Sequence, residues 1–277
     1  MKTEIINRKG ARKIQDIPKE VLELLNLGKI ETVNLTEWLA IDYIKLIETN
    51  FLEIGIAEDN IQLITKKIKA QKKPTTMKTT ALVGTMLYEL YRDKKEQNTI
   101  FKKMSAHKSD AIRCFAPYLK SLNPNADITE KLKQTQKLIT DHHFGVREVV
   151  WMALRPEIAE NLKESIEFLS LWTKSKDENI RRFTTESTRP RGVWCKHIQQ
   201  LKENPEMALP ILENLKADKS KYVQDSLANW LNDASKSKPN FVIELCKKWE
   251  KESPTKETQR IVKRAKRTIE KSSKKVT

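Results

Sequence analysis

The sequence predicts an all-α protein, an α-solenoid of HEAT-like helical repeats, on three observations. Its 277 residues include only six glycines and ten prolines, too few for the tight turns of an all-β fold, while 38% hydrophobic residues suffice for a core. Leu, Lys, Glu, Ile and Ala dominate and favour helix. Apolar residues recur at helical spacing, and one short pattern returns along the chain at intervals that leave room for two helices.

Taken in order, the N-terminal "MKTEIINRKG" lacks the apolar stretch of a signal peptide, and no apolar run reaches the length of a membrane span. A soluble, cytoplasmic, nucleoid-associated protein is expected, and a monomer. "KIETVNLTEWLAID" covers residues 29 to 42, and "TKKIKAQKKPTTMK" at 65 to 78 holds six lysines and no acid. Lys247 to Thr277 carries twelve Lys/Arg against four Glu, half of the chain's net charge of +16. Two separated basic blocks in a helical protein point to a polyanion. Nucleic acid is favoured over membrane, because no basic segment has the apolar opposite face of an interfacial helix. One repeat domain over 1–270 and a basic tail over 271–277 are expected. Cys114, Cys195 and Cys246 are odd in number and far apart, which suggests neither a disulfide framework nor a zinc site. His142 and His143 are adjacent, so their rings do not share a helical face, and a solvated loop is expected there.

The repeats begin at Ile112-Arg113, Val146-Arg147, Ile180-Arg181, Val223-Gln224 and Val262-Lys263, spaced by 34, 34, 43 and 39 residues. Periods of this size resemble HEAT-type helix pairs, which stack so that one concave face collects the same position from every repeat. At 100° per residue, Val146, Val150, Ala153 and Leu154 form one apolar face, as do Val223, Leu227, Trp230 and Leu231. Trp172 and Trp249, in amphipathic segments, are expected in the core. The opposite faces present Arg147, Trp151 and Arg155, then Arg182, Glu186 and Arg189, then Asn229, Asp233 and Lys236, flanked by Arg181, Arg191 and Trp194. Proline at 156 and 190 is expected to end each helix, placing Arg155 and Arg189 at its rim. The result is a basic surface with two acids and an exposed Trp151. Arg182, Glu186 and Arg189 at i,i+4 and i,i+3 also fit ordinary surface pairs worth about 0.3–0.5 kcal/mol each.

"RRFTTESTRPRGVW" and "SLANWLNDASKSKP" resemble the paired signatures of the AlkC/AlkD superfamily of DNA alkylation repair glycosylases, closer to the AlkC branch, and the 29–42 segment resembles that branch as well. The resemblance implies a concave basic surface for duplex DNA with alkylated bases, and excision of cationic alkylated bases without flipping them out, with no metal and no cofactor. It implies catalytic roles for Glu186 and Asp233. At the family's third acidic position this sequence has Trp151, which with Asp233 makes a composite of the AlkC and AlkD styles. The immunoglobulin-like domain of AlkC proteins is not expected after the "RIVKRAKRTI" helix. The chemistry is consistent on its own terms: an alkylated purine is already a good leaving group, so the protein's task is to stabilise the cation developing on deoxyribose. Arg147, Arg155, Arg181, Arg182, Arg189, Arg191, Trp194, Asn229 and Lys236 are the expected DNA contacts. Two other functions stand beside the glycosylase: a non-catalytic binder of DNA shape, and a protein-interaction scaffold, which the basic faces disfavour.

Overall fold

In a computed structural model, residues 3–273 are described; they form helices and connecting turns, with no strand among them. The all-helical architecture that the sequence predicts is what these residues form. Of the predicted tail, residues 271–273 complete the helix Arg267–Ser273, and 274–277 lie outside the described residues. The chain divides into two compact units, Met1–Ala126 with Asp141–Ala153, and Asp127–Thr140 with Leu154–Thr277.

In the first unit, polar residues open the helices. Asp42 accepts from the amides of Ile44 and Lys45 to start Tyr43–Ile54, and Thr75 accepts from Lys78 to start Thr76–Tyr91. Tyr43–Ile54 ends at Gly55, whose φ of +105° is a left-handed stop that a side chain would strain. Leu46, Ile47, Phe51, Ile64, Val83, Leu87 and Phe115 fill the core, and Phe51 meets Phe115 edge to face at 5.8 Å. His142 is exposed, as a solvated loop requires, but His143 is buried, with Nε2 2.7 Å from the Thr32 carbonyl and Nδ1 3.5 Å from Asp110. A buried imidazole satisfied by backbone is the correction to the loop reading.

In the second unit, Asp127, Asp177, Ser220 and Thr255 cap Ile128–Ile139, Glu178–Ser187, Lys221–Ser235 and Lys256–Ala265. Val223, Leu227, Trp230 and Leu231 are all buried, as the 100° count predicts, and Trp249 joins them. Trp172 is only half-buried, edge-on to Phe168 and Phe183. Trp230 reconciles its polar nitrogen with the core by donating from Nε1 to the Thr188 carbonyl at 2.9 Å.

Pro156 does not end its helix: Phe144–Glu160 runs through it. The ring points to solvent, and the buried Leu154 and Ile158 on either side hold the helix despite the missing amide. Pro190 does follow a helix end, at Ser187.

One device recurs at the start of the repeat helices. Arg113 Nη1 donates to the carbonyls of His107 and Lys108, Arg147 Nη1 to Asp141 and His142, and Arg181 Nη1 to Ser175 and Lys176, in each case six and five residues back. Gln224 makes the equivalent bond to the Asp218 carbonyl. Each side chain thus folds back over the turn that precedes its own helix and satisfies carbonyls the turn leaves open. Arg113 also pairs with Asp141, and Arg181 with Asp218, the acid of the following repeat, at 2.8 and 2.6 Å. Arg147 and Arg181, expected at the DNA surface, are engaged in this ladder instead.

Candidate functional site

Glu178–Ser187 and Lys221–Ser235 bring their trailing ends together, and with them the two predicted acids. Glu186 is 4% exposed and Asp233 3%. Arg189, two residues past its helix, lies between them: Nε and Nη2 donate to Asp233 Oδ2 at 2.9 and 2.6 Å, and Nη1 donates to Glu186 Oε2 at 3.3 Å. Lys236 Nζ takes the other Asp233 oxygen at 2.9 Å, and Arg182 Nη2 lies 3.6 Å from Glu186 Oε1. Buried carboxylates are costly unless compensated, and here every oxygen has a cationic neighbour. Burial works against the charge on Arg189, but Glu186 and Asp233 outweigh it and hold its pKa above the usual guanidinium value.

The i,i+3 and i,i+4 spacings seen in the sequence are therefore part of a network, with Arg189 reaching across to a second helix. Sequence reasoning had no signal for three further members. Tyr222 lies under Arg182, its ring centroid 4.3 Å from the guanidinium carbon. Ser237 accepts from Arg191 Nη2 at 2.7 Å, and Arg267 donates to Asn229 Oδ1 at 2.8 Å. Burial and the neighbouring Arg264 lower the Arg267 pKa, while Asp233 opposes them, which ties Arg267 electrostatically to the pair.

Beyond Ser187 the chain makes a loop closed by the Ile198 amide on the Pro190 carbonyl at 3.1 Å. Arg155 is the post it is tied to. Its guanidinium is 2% exposed and donates to the carbonyls of Ser187 at 2.8 Å and Lys196 at 3.0 Å, and to that of Arg189. With neutral partners only, burial lowers its pKa from the ordinary value. A Cβ on Gly192 would stand 2.9 Å from Arg155 Cζ, so the loop passes tightly over this side chain. Arg155, expected at the DNA surface, is an internal strut. At the loop's outer turn, Val193 and Trp194 are exposed, Trp194 by 59%, and Trp194 has φ +58°, a left-handed conformation that a bulky side chain rarely adopts.

Trp151 is not an exposed platform. It belongs to the first unit, is 2% exposed, and donates from Nε1 to Glu148 Oε2 at 2.9 Å. Its position on the polar side of a helical wheel did not reveal this, because both sides of the Phe144–Glu160 helix are covered: Val149, Val150 and Ala153 are buried as well. No helix among the described residues is long and apolar enough to cross a membrane.

Residues 149–268 match the profile of a family described as DNA alkylation repair enzyme. Over 117 residues the chain is 40% identical to the uncharacterized protein YhaZ of Bacillus subtilis strain 168; the match takes in 42% of this chain and 32% of that protein, about a third of its length. Among solved structures, the fold is similar to Pseudomonas fluorescens alkylpurine DNA glycosylase AlkC bound to DNA containing an abasic site analog, with TM-score 0.66 and 22% identity over 94% of this chain and 65% of that one. It is also similar to AlkD2 from Streptococcus mutans, with TM-score 0.56 and 23% identity over 75% of this chain and 97% of that one. Glu186, Asp233 and the cations around them all fall within the segment, residues 149–268, that matches the DNA alkylation repair enzyme profile.

Proposed function

We propose that this protein is a DNA glycosylase that hydrolyses the N-glycosidic bond of cationic N-alkylated bases in duplex DNA, without extruding the base from the helix. The observation that carries the reading is the pair of buried carboxylates, Glu186 and Asp233, fixed by Arg189 at the end of two helices and followed by a loop that carries an exposed Trp194. The AlkC structure similar to this fold is bound to DNA, which supports duplex DNA as the partner here.

In this reaction the base leaves with the bonding electrons and becomes neutral, positive charge grows on the sugar, and water adds at C1′ and gives up a proton. Carboxylates already held in place stabilise the sugar cation without reorganising, and either one can orient the water. The leaving group carries its own charge, so no acid is needed to protonate it. Arg182, Arg189, Arg191 and Lys236 hold phosphates and set the register, Asn229 adds a polar contact, and Trp194 offers an aromatic surface to the duplex beside the lesion. Trp151, buried against Glu148, packs and does not touch the base.

A second reading, a non-catalytic binder of DNA shape, is favoured by one observation: an indole stands where an acid of the related enzymes is expected. Incubation with methylated duplex DNA and assay of free bases separates the two. Release of alkylated bases supports the glycosylase; binding of methylated DNA with no release under any condition excludes it and leaves the shape binder.

A further inference from the structure

We infer that the first unit carries a duplex-binding surface of its own, built from Lys66, Lys67, Lys69, Lys72, Lys73 and Lys78, which holds the DNA backbone whether or not a lesion is present. The inference rests on duplex DNA as the partner, as proposed above, and does not depend on hydrolysis.

The surface is one helical hairpin. Glu58–Lys69 and Thr76–Tyr91 pack together across the turn 70–75, and each buries one side: Ile61, Ile64 and Ile68 in the first helix, Thr79, Thr80, Val83 and Leu87 in the second. The turn is pinned from within. The amides of Ala70 and Gln71 bond to the carbonyls of Lys66 and Ile68 at 3.1 Å, and Thr79 Oγ1 donates to Gln71 Oε1 at 2.9 Å. All six lysines are left outside and exposed, so the block is an ordered surface and not a frayed segment.

Its charge is uncompensated. From Asn60 to Tyr88 the chain has no Asp or Glu, and none of the six lysines makes an ion pair among the described residues, whereas Lys45, Lys131, Lys216 and Lys236 each hold a carboxylate. Lys66, Lys67 and Lys69 lie in the last turn of a helix, where the macrodipole alone accounts for a cation. Lys78 has the opposite setting. It is the third residue of Thr76–Tyr91, at the positive end of the dipole, and the first turn of that helix has no acid. Thr75 already supplies half of a capping box, its Oγ1 accepting from the Lys78 amide at 3.3 Å, and the box asks for Glu or Gln where that lysine stands. A position at which an acid would stabilise the fold holds a cation instead, and a local rule broken in this way marks a surface kept for a ligand.

The make-up of the surface narrows the partner. No aromatic residue occurs from Leu52 to Leu87, so nothing there stacks on unpaired bases. Among the large apolar residues of the two helices only Leu63 is exposed, which leaves no side for lipid. Lysines are point charges on flexible stems and lack the fork with which arginine grips a single carboxylate. They suit a dense row of phosphates, and duplex DNA presents one charge per roughly 1.7 Å of its axis.

The test titrates undamaged duplex at several salt concentrations. With Lys66, Lys67, Lys72 and Lys73 all replaced by Gln, the slope of log Kd against log salt should flatten by about 3, at roughly 0.9 per phosphate. The same loss of charge at Lys137, Lys163, Lys174 and Lys251, exposed lysines of the second unit, should flatten it by less than about 1. Lys78→Glu moves two readouts in opposite directions: Tm should rise by about 2 °C as the capping box is completed, while Kd for the duplex weakens about tenfold. An unchanged slope in the fourfold variant, an equal change in the control, or a loss just as large on a single strand of the same length would overturn the inference. Wild-type protein that binds no duplex overturns it together with the proposed partner; wild-type protein that binds, with the slope unmoved in the variant, overturns this inference alone.

Discussion

The two ends of the repeat helices use arginine in opposite ways. At the leading ends, Arg113, Arg147 and Arg181 make the same bonds to carbonyls six and five residues back, repeat after repeat. At the trailing ends nothing repeats: Arg155 ties down a loop through backbone carbonyls, whereas Arg189 bridges two acids on different helices. In an array, what recurs in register serves the array. What breaks register is free to serve a ligand. Exposure and charge alone do not make that distinction, since both kinds of arginine sit in a strongly basic chain.

The largest expected effect is at the trailing ends. Glu186→Gln and Asp233→Asn should slow base release on the order of 10²-fold or more while DNA binding is kept, as for a preorganised electrostatic group. A parallel loss of affinity in filter binding would make these acids structural and erase the contrast with the ladder. Arg181→Ala tests the other end. It strands Asp218 and opens two carbonyls, and should cost about 3 kcal/mol in denaturant unfolding, with base release per folded molecule unchanged. Selective loss of activity at full stability would show that the leading arginines reach the ligand.

Much of this was legible in advance. The repeat register, the apolar faces of Val146 to Leu154 and Val223 to Leu231, and the approach of Glu186 to Asp233 follow from spacing, because burial and period act locally. Arg147, Arg155 and Trp151 were misplaced because a helical wheel assigns a polar side without showing what takes that side up: Arg147 folds back over the turn before its own helix, Arg155 is covered by the loop it ties down, and Trp151 is buried with its Nε1 on Glu148. The alignment of Ile/Val-Arg across three repeats was itself the signal for the ladder, had recurrence been weighed above charge. Tyr222, Ser237 and Arg267 gave no signal, since their partners are 38 to 46 residues away in the chain.

Smaller effects sharpen the contrast. Trp151→Ala should lower stability by about 3 kcal/mol or more through the cavity it leaves, followed as a lower Tm. Base release by the folded fraction should stay near wild type; a selective loss there would return the indole to the site. Arg191→Ala and Lys236→Ala should each flatten the slope of log Kd against log salt by about 1, one phosphate contact apiece, whereas Arg155→Ala should leave the slope in place and destabilise the fold. The smallest shift is expected at Trp194. Asn accepts left-handed backbone readily, so Trp194→Asn should raise stability by up to about 1 kcal/mol while weakening binding to damaged DNA. A stability that falls instead would mean the indole packs rather than waits for DNA.

The ladder also bears on how such a chain can grow. Arg181 needs only Asp218, the Gln224 amide needs only the Asp218 carbonyl, and Arg260 in turn donates to Gln224 Oε1 at 3.1 Å. Each rung is complete once its neighbour is present, so a gene segment that encodes one repeat could be duplicated or deleted and its ends would still find partners. Arg189 has no such freedom. Its two acids come from adjacent repeats in a fixed order, and an insertion between Glu186 and Asp233 would part them. The spacing of 47 residues between those acids is therefore the interval along this chain where a change in repeat number should be tolerated least.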